Sequence, residues 1–221
     1  MTTRVLLAGG TGLVGGMLTR RLMARPDISL TSLVRGARLA PERMVDWEAL
    51  AADPAGVVGA GEVDVGVSCL GTTLRTAGSR AAFRRVDRDY VLAVARAARA
   101  AGARRFVLVS SVGAGGRGFY LRVKGEAERA VAGLGFERVD LVRPGLLLGP
   151  RAERRPGERI AQVVAPFLDP LLRGPLAKYA AIPADTVAAA VEALLAEGGA
   201  GVHAHHNREL RALAARTHRA V

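Results

Sequence analysis

The 221-residue sequence predicts an α/β fold, a single domain with a doubly wound parallel sheet. Three observations predict it. Apolar runs of strand length alternate with segments of helical period along the chain. The apolar run at 106–109 is typical of a parallel strand covered on both faces. A glycine-rich turn joins the first predicted strand to the first helix, as in dinucleotide-binding folds.

The order of the elements follows from apolar periodicity and from the glycines and prolines at their ends. Strands are predicted at 4–8, 28–34, 45–47, 63–70, 106–109 and 139–142, and a last strand and helix within 202–215. Helices are predicted from residue 13 until Pro26 and at 81–101, 120–132, 160–172 and 185–196, the last with Asp185 as N-cap. The stretch 149–159 predicts a loop, and residues 144–221 are expected to form a small substrate-side subregion.

The composition indicates a soluble protein with one sizeable core, since half of the residues are apolar. No apolar run approaches the roughly 18 residues of a membrane-spanning helix. Glycines at 9, 10 and 12 interrupt the apolar start of the chain, so we expect no targeting segment. The single cysteine, Cys69, excludes an internal disulfide and favours a cytoplasmic location.

The formal net charge of +12 would suit an anionic partner. However, only Lys124 and Lys178 among the 32 basic residues are lysines, and the arginines are spread along the whole chain. Aromatic residues make up only 4% of the chain, and no nucleic-acid-binding motif occurs. We therefore expect no nucleic acid and no membrane as partners, and the charge is compatible with a phosphate-bearing small molecule. A monomer and a homodimer both remain open.

The glycine turn has the residue types that a dinucleotide-binding loop needs. Glycines at 9, 12 and 15 permit a tight turn, a close approach to a pyrophosphate and close packing of helix on strand. The turn follows a predicted strand and opens a predicted helix, whose free amides can bind the anion. The predicted cofactor contacts in this segment are Gly9, Thr11, Gly12, Leu13, Val14 and Gly15.

The residue after the second predicted strand favours NADP(H) over NAD(H). NAD-binding versions place a carboxylate about 20 residues after the glycine turn, where it accepts from a ribose hydroxyl. This chain has Arg35 in that place. A guanidinium cannot accept a hydrogen bond, but it suits a 2′-phosphate, and Arg38 could assist. The alternative for Arg35 is an ordinary solvated residue.

Tyr120 and Lys124 lie four residues apart, which puts both on one face of a helix. They follow the strand that ends at Ser110 and Ser111, so a hydroxyl, a phenol and an ammonium can converge. This set suits hydride transfer to a carbonyl. Tyr120 would protonate the nascent alkoxide, Lys124 would favour the phenolate and reach the nicotinamide ribose, and Ser111 would donate to the same oxygen. Ser110 is the alternative to Ser111.

Other chemically suggestive residues are given structural roles. His203, His205 and His206 lack a companion carboxylate motif, so we expect no metal site. Cys69 lies in a buried-looking strand and is expected to be a small apolar filler. Trp47 is expected to close the core, and the alternative is packing near the adenine of the cofactor.

Six segments together carry a resemblance to a known family: Gly9 to Gly15, Asp64 to Thr73, Val86 to Tyr90, Ser110 to Ser111, Tyr120 to Glu126 and Arg143 to Gly145. The combination resembles the Tat-interacting-protein-like oxidoreductases, which are atypical short-chain dehydrogenases/reductases. The resemblance covers roughly residues 3 to 160, and its motifs match in order and spacing.

This resemblance implies a Rossmann fold that binds NADPH and a Ser, Tyr, Lys constellation carried by Ser111, Tyr120 and Lys124. The predicted cofactor contacts outside the glycine turn and Arg35 are Leu70, Gly71, Thr72, Tyr120, Lys124, Pro144 and Gly145. Two departures stand out. Many larger relatives have an asparagine where this chain has Asp87, and the interval from Ser111 to Tyr120 is short.

Two functions follow from these residues. The first is an NADP(H)-dependent oxidoreductase that acts on a small carbonyl or alcohol, with Tyr120 as acid or base. The second is a non-catalytic NADP(H)-binding regulatory module that presents a surface to a protein partner. The resemblance names no substrate.

Overall fold

The computed structural model describes residues 2–36, 40–57, 62–149 and 174–217. Its main sheet has seven strands, all parallel, in the order β3-β2-β1-β4-β5-β6-β9. In chain order the strands are β1 Thr3–Ala8, β2 Ile28–Val34, β3 Glu42–Met44, β4 Val65–Ser68, β5 Arg105–Val109, β6 Arg138–Val142, β7 Leu147–Leu148, β8 Ile182–Pro183 and β9 Gly201–His205. The short strands β7 and β8 pair with each other in a second, two-stranded sheet.

Helices connect the strands of the main sheet. They are α1 Leu13–Met23, α2 Trp47–Ala52, α3 Pro54–Val57, α4 Leu74–Ala77, α5 Arg80–Arg84, α6 Val91–Ala100, α7 Phe119–Ala132, α8 Ala184–Leu194 and α9 Asn207–Thr217. A π-helical segment, Arg85–Tyr90, joins α5 to α6, and a 3-10 helix covers Gly174–Tyr179. No helix in the described ranges has the length and apolar character needed to cross a bilayer.

Alternation along the strands divides the core into two layers. Val5 and Leu7 of β1 face a cluster that includes buried residues of α1, α8 and α9. Leu6 and Ala8 of the same strand face a second cluster, which includes α6 and α7. The sheet is therefore covered on both faces, which confirms the predicted doubly wound α/β fold.

The position of β1 creates the crevice in which such folds bind ligands. The chain moves outward from β1 through β2 to β3, and then returns to place β4 on the other side of β1. Ligands of open α/β sheets bind at the carboxyl edge at such a reversal. The segments after β1 and β4 line this point directly.

Most predicted elements are confirmed to within about two residues at each end, but two predictions are wrong. The strand expected at 45–47 lies at Glu42–Met44, and Trp47 begins α2. The cause is Asp46, whose carboxylate accepts the Glu48 N–H at 2.8 Å and the Ala49 N–H at 3.3 Å. This side-chain cap starts a helix where the apolar pattern indicates a strand.

The second wrong prediction concerns Asp185, which does not cap α8. The N-cap is Pro183, and Asp185 lies within the first turn with Oδ1 3.5 Å from Arg21 Nη1 of α1. A carboxylate is favourable anywhere in this turn because of the helix dipole, so its presence does not identify the cap. The predicted helix 160–172 and most of the predicted loop 149–159 lie outside the described residues.

The helix predicted at 81–101 is observed as one helical run from Arg80 to Ala100, but its middle is π-helical. Gly102 follows with a φ of 100°, a conformation that favours glycine at a helix end. The π-helical segment changes the direction of the side chains from Arg85 to Tyr90 relative to an uninterrupted α-helix. Such segments are frequent at functional sites.

Buried hydrogen bonds among Arg138, Asp140 and His205 join β6 to β9. Arg138 donates to both carboxylate oxygens of Asp140, at 2.7 and 2.8 Å, and His205 Nε2 lies 2.8 Å from Asp140 Oδ1. Burial disfavours the charged form of Asp140. The hydrogen bonds from His205 and Arg138 outweigh this effect and hold the pKa of the carboxyl below its usual range.

We expect Asp140→Asn to lower the free energy of unfolding at pH 7 by about 3 to 5 kcal/mol, because it leaves the Arg138 guanidinium buried without its counter-charge. The stabilisation from Asp140 is complete above its unfolded-state pKa, which is about 3.9. It is lost as the pH falls through the lower pKa of the folded state. Urea unfolding at pH 7 and near pH 2.5 should therefore show a difference between the two proteins that shrinks in acid.

Glu137→Gln is the matched control, since Glu137 pairs with Arg104 at the surface and should contribute little. A difference between wild type and Asp140→Asn that is equal at both pH values would contradict the assignment.

Candidate functional site

The glycine turn after β1 is closed by backbone contacts that exclude side chains. Gly9 has a φ of 85°, and a Cβ atom there would lie 2.6 Å from the carbonyl carbon of Cys69. Gly12 N–H donates to the Gly9 carbonyl at 3.0 Å. A Cβ atom on Gly15 would overlap that same carbonyl oxygen. Glycine at positions 9 and 15 therefore lets α1 pack directly on the turn.

The N-terminus of α1 points its amide groups at this crevice without a competing side chain. Gly12 is the N-cap, no side chain caps the helix, and its first turn contains no acidic residue. Val14 and Gly15 are buried beneath the turn, Leu13 is partly buried, and Thr11 is exposed. An uncapped helix end of this kind suits a pyrophosphate, so the predicted contacts at residues 9–15 fit a dinucleotide.

Arg35 follows β2 directly and is exposed. Within the described ranges it makes no ion pair, so its guanidinium is available to an anion. Arg38, named as a possible helper, lies outside the described residues.

Asp87, in the π-helical segment between α5 and α6, contacts the segment that follows β4. The Thr72 N–H donates to Asp87 Oδ2 at 2.9 Å, and Lys124 Nζ lies 2.8 Å from Asp87 Oδ1. A Cβ atom on Gly71 would be 3.5 Å from Lys124 Nζ. Lys124 is therefore beside the predicted cofactor contacts Gly71 and Thr72, while Leu70 of the same segment is partly buried.

Tyr120 and Lys124 occupy the first half of α7 but differ in their surroundings. Lys124 is 6% exposed and bound to Asp87, whereas Tyr120 is 37% exposed. The Tyr120 ring packs on Phe83, with ring centroids 5.6 Å apart. Within the described part of the chain, no hydrogen bond joins Tyr120 to Lys124 or to either serine. Their joint role in catalysis stays a prediction.

The two serines after β5 differ in the same way. Ser110 is 8% exposed, and its Oγ has no hydrogen-bond partner among the residues that the structure describes. Ser111 is partly exposed, and its Oγ donates to the Val112 carbonyl at 3.3 Å. Alternation puts the Ser110 side chain on the face of Phe106 and Leu108, which is covered by α6 and α7. The choice between Ser110 and Ser111 therefore stays open.

The segment after β6 is held in place by Asn207 of α9. Asn207 is buried, accepts the Gly145 N–H at 3.0 Å and donates to the Ala180 carbonyl at 2.8 Å. Pro144 accepts the Val112 N–H at 2.9 Å, which joins this segment to the one after β5. The predicted contacts Pro144 and Gly145 thus lie at the same edge of the sheet as the serines.

Asp87, Asn207 and the Arg143–Glu128 ion pair of 2.5 Å are structural supports that the sequence analysis did not place in the site. In the sequence, Asp87 stands out only as a departure from relatives. Each partner lies far away in the sequence, so residue spacing carries no signal for these contacts.

The contacts of the histidines and the burial of Cys69 indicate structural roles for these residues. His203 and His205 share a face of β9, and His205 contacts Asp140. The described ranges contain no group of three or more residues able to hold a metal ion. Burial raises the pKa of the Cys69 thiol to about 12, which keeps the thiol protonated. Trp47 packs against the core and on Tyr90, with ring centroids 5.5 Å apart.

A family model described as NAD(P)H-binding matches residues 9–198. The chain belongs to this NAD(P)H-binding family. The matched span contains the glycine turn, Asp87, Lys124 and Gly145, and it confirms a nicotinamide dinucleotide as the predicted cofactor.

Curated relatives support the same assignment. Protein HTATIP2 of Rattus norvegicus is 40% identical over 169 residues, which cover 72% of this chain and 68% of the rat protein. The protein named "Protein fmp52, mitochondrial" of Emericella nidulans is 36% identical over 174 residues, covering 73% of this chain and 74% of that protein. The resemblance to Tat-interacting-protein-like oxidoreductases is thereby confirmed.

Solved structures share the fold. Human epimerase family protein SDR39U1 (isoform 2), solved with NADPH, has a TM-score of 0.65 at 20% identity. The matched region covers 92% of this chain and 74% of the human protein's chain. RMD from Pseudomonas aeruginosa, also complexed with NADPH, has a TM-score of 0.66 at 20% identity, with coverage of 97% and 82%. At such identities the likeness concerns the architecture alone.

Gly15→Ala is expected to weaken NADPH binding at least about tenfold, because the added methyl group overlaps the Gly9 carbonyl oxygen and must displace the turn. Fluorescence titration of the purified protein with NADPH measures the effect.

Gly133→Ala is the control, since its Cβ atom would meet only carbonyl oxygens at 3.6 Å at the far end of α7. Equal NADPH affinity in Gly15→Ala and wild type would show that the turn does not carry the cofactor.

Proposed function

We propose that this protein is an NADP(H)-dependent oxidoreductase that transfers hydride to or from a small carbonyl or alcohol substrate. The observation that carries the proposal is the buried position of Lys124, one helical turn after Tyr120 and beside the segment that follows β4. Because Lys124 is buried, it is not an ordinary solvated surface lysine. It suits the hydroxyls of a ribose and a nearby phenol.

The dinucleotide would lie across the carboxyl edge of the sheet. The amides of the α1 N-terminus would bind its pyrophosphate, and Arg35 would bind the 2′-phosphate that distinguishes NADP(H) from NAD(H). Gly71, Thr72 and Gly145 would line the nicotinamide half. The family membership supports the cofactor class, and the exposed position of Arg35 directly after β2 supports the phosphorylated form.

The bound cofactor supplies or accepts a hydride, which carries two electrons to or from the carbonyl carbon. Protein residues handle the accompanying proton. In the reducing direction Tyr120 donates its phenolic proton to the carbonyl oxygen, and in the oxidising direction the phenolate accepts that proton. Lys124 stabilises the phenolate, and Ser111 or Ser110 donates a hydrogen bond to the reacting oxygen.

Tyr120→Phe tests the catalytic role. The variant keeps the ring that packs on Phe83 but loses the proton that is transferred. We expect at least a hundredfold loss of NADPH oxidation with aldehydes, ketones or sugar-nucleotide ketones, and an unchanged dissociation constant for NADPH.

Tyr90→Phe is its matched control, because it removes the same hydroxyl from a tyrosine that donates to Glu48. NADPH binding without turnover of any carbonyl or alcohol would instead support the regulatory module. That function then becomes the preferred one.

Arg35→Asp tests the cofactor preference. We expect the dissociation constant for NADPH to rise about tenfold or more, while that for NADH changes little, because only NADPH has the 2′-phosphate. Calorimetry with both dinucleotides measures the two constants.

Arg20→Asp makes the same charge change on an exposed residue near the other end of α1. An equal loss of affinity for NADPH and NADH in Arg35→Asp would mean that Arg35 does not act on the 2′-phosphate.

A further inference from the structure

We propose that a cavity at the amino edge of the main sheet binds a phosphate group, as free phosphate or as part of a small phosphate ester. The cavity has a volume of about 360 Å³, which is in the range of small-molecule sites. Its charged lining residues are Asp64, Arg104, Arg105, Glu137, Arg138 and Glu197. None of them belongs to the crevice at the carboxyl edge, so this proposal does not depend on the proposed function.

The cavity lies where neighbouring parallel strands begin. Arg105 and Arg138 are the first residues of β5 and β6. Asp64 directly precedes β4, and Glu197 lies between α8 and β9. Because β4, β5, β6 and β9 are adjacent and parallel, these residues meet at the edge opposite the crevice.

Two arginines of the cavity are direct neighbours across the sheet. The Cα atoms of Arg105 and Arg138 are partners in the register of β5 and β6, so both side chains leave the same face. Like charges at such positions repel each other. Arg138 has a counter-charge, because it donates to both oxygens of Asp140. Oδ1 of Asp140 also contacts His205, so this carboxylate is fully used without Arg105.

Arg105 has unused hydrogen-bond donors. It is partly buried, and within the described ranges its guanidinium makes one hydrogen bond, from Nη1 to the Glu197 carbonyl at 3.1 Å, and no ion pair. The hydrogen bond from Arg4 is the main cause of the lowered pKa of Asp64, and the charge of Arg105 is a minor one. A guanidinium has five N–H donors, so Arg105 can bind an anion.

The carboxylates of the lining do not repel such an anion strongly, because each is neutralised by another arginine. The pairs are Asp64 with Arg4 at 2.7 Å, Glu137 with Arg104 at 2.6 Å, and Glu197 with Arg216 at 2.5 Å. Asp140 neutralises Arg138 in the same way. Once these pairs are formed, the charge of Arg105 is the one in the lining that the described residues leave without a counter-ion.

A phosphate group matches this arrangement. It carries about two negative charges at neutral pH and has three acceptor oxygens even as an ester, so it suits more than one guanidinium. Arg105 would bind it with its unused donors. Arg104 would add its Nη groups, since its Nε donates to Glu137. A cavity of about 360 Å³ also has room for the organic part of a small ester.

The loop between α8 and β9 is already held in place beside the cavity. Arg105 donates to the Glu197 carbonyl, and Arg138 Nη1 donates to the Gly198 carbonyl. Gly199 has a φ of 86°, and a Cβ atom there would lie 3.6 Å from Arg138 Nη1. The main chain at Gly198 and Gly199 therefore lies against the proposed site, and its amide signals can report on a bound anion.

An NMR titration of the whole protein tests the site. The 15N-labelled protein is first saturated with NADP+, so that the crevice is occupied, and then titrated with sodium phosphate at neutral pH. We expect saturable shifts of the Gly198 and Gly199 amide signals, with a dissociation constant in the millimolar range. Sodium chloride at matched ionic strength should not reproduce them. Titration with glycerol 3-phosphate distinguishes the sources: tighter binding indicates an ester, and equal binding indicates free phosphate.

Arg105→Gln removes the charge but keeps an amide N–H that can donate to the Glu197 carbonyl. We expect the dissociation constant for phosphate to rise at least about tenfold. Arg96→Gln is the matched control, because Arg96 is exposed on α6 and does not line the cavity. It should leave the dissociation constant unchanged.

Three results of these titrations would overturn the proposal. The first is an equal dissociation constant in wild type and Arg105→Gln. The second is a set of shifts that sodium chloride reproduces. The third is shifts confined to the glycine turn after β1, which would mean that phosphate binds at the crevice alone. NADPH binding and turnover are measured separately, so none of these results bears on the oxidoreductase.

A second measurement does not depend on the folding of a variant. In crystals of the wild-type protein with NADP+ and phosphate, a phosphate oxygen should lie within about 3.2 Å of a guanidinium nitrogen of Arg105. Density at that place without saturable shifts in solution would indicate an adventitious ion only and would overturn the proposal.

Discussion

The close approach of backbone to backbone at the glycine turn is the constraint on which the site depends. Gly9 lies against the carbonyl of Cys69, and Gly15 lies against the carbonyl of Gly9. These contacts bring the end of β1, the end of β4 and the start of α1 to one point. Because every strand of the main sheet is parallel, the serines after β5 and Pro144 after β6 reach the same edge.

A buried ion pair organises the other half of that edge. Lys124 and Asp87 come from different helices and meet beside Gly71. Removing either charge leaves the other buried and unpaired, which costs more than a surface pair would. The pair therefore fixes the position of a cation at the place where a nicotinamide ribose is expected. Asn207 fixes the segment after β6 in a comparable way, through neutral hydrogen bonds.

Local signals predicted most of the fold. Buried strands are short apolar runs, and the long helices show their period clearly. The prediction failed at 45–47, where the cap at Asp46 outweighed the apolar pattern, and at Asp185, where one residue type suits several positions of a first turn. The π-helical segment has no sequence signal of this kind, because the apolar period continues across it.

The same division holds for the candidate site. The glycine spacing, Arg35 and the four-residue interval from Tyr120 to Lys124 are local patterns, and the sequence by itself determined them together with the wound sheet that gathers them. Only the tertiary structure decided that Lys124 pairs with Asp87 and that Asn207 holds Gly145. The reason is physical: these partners are brought together by the packing of separate helices and loops, and no periodicity along the chain records which buried charge or amide will meet which.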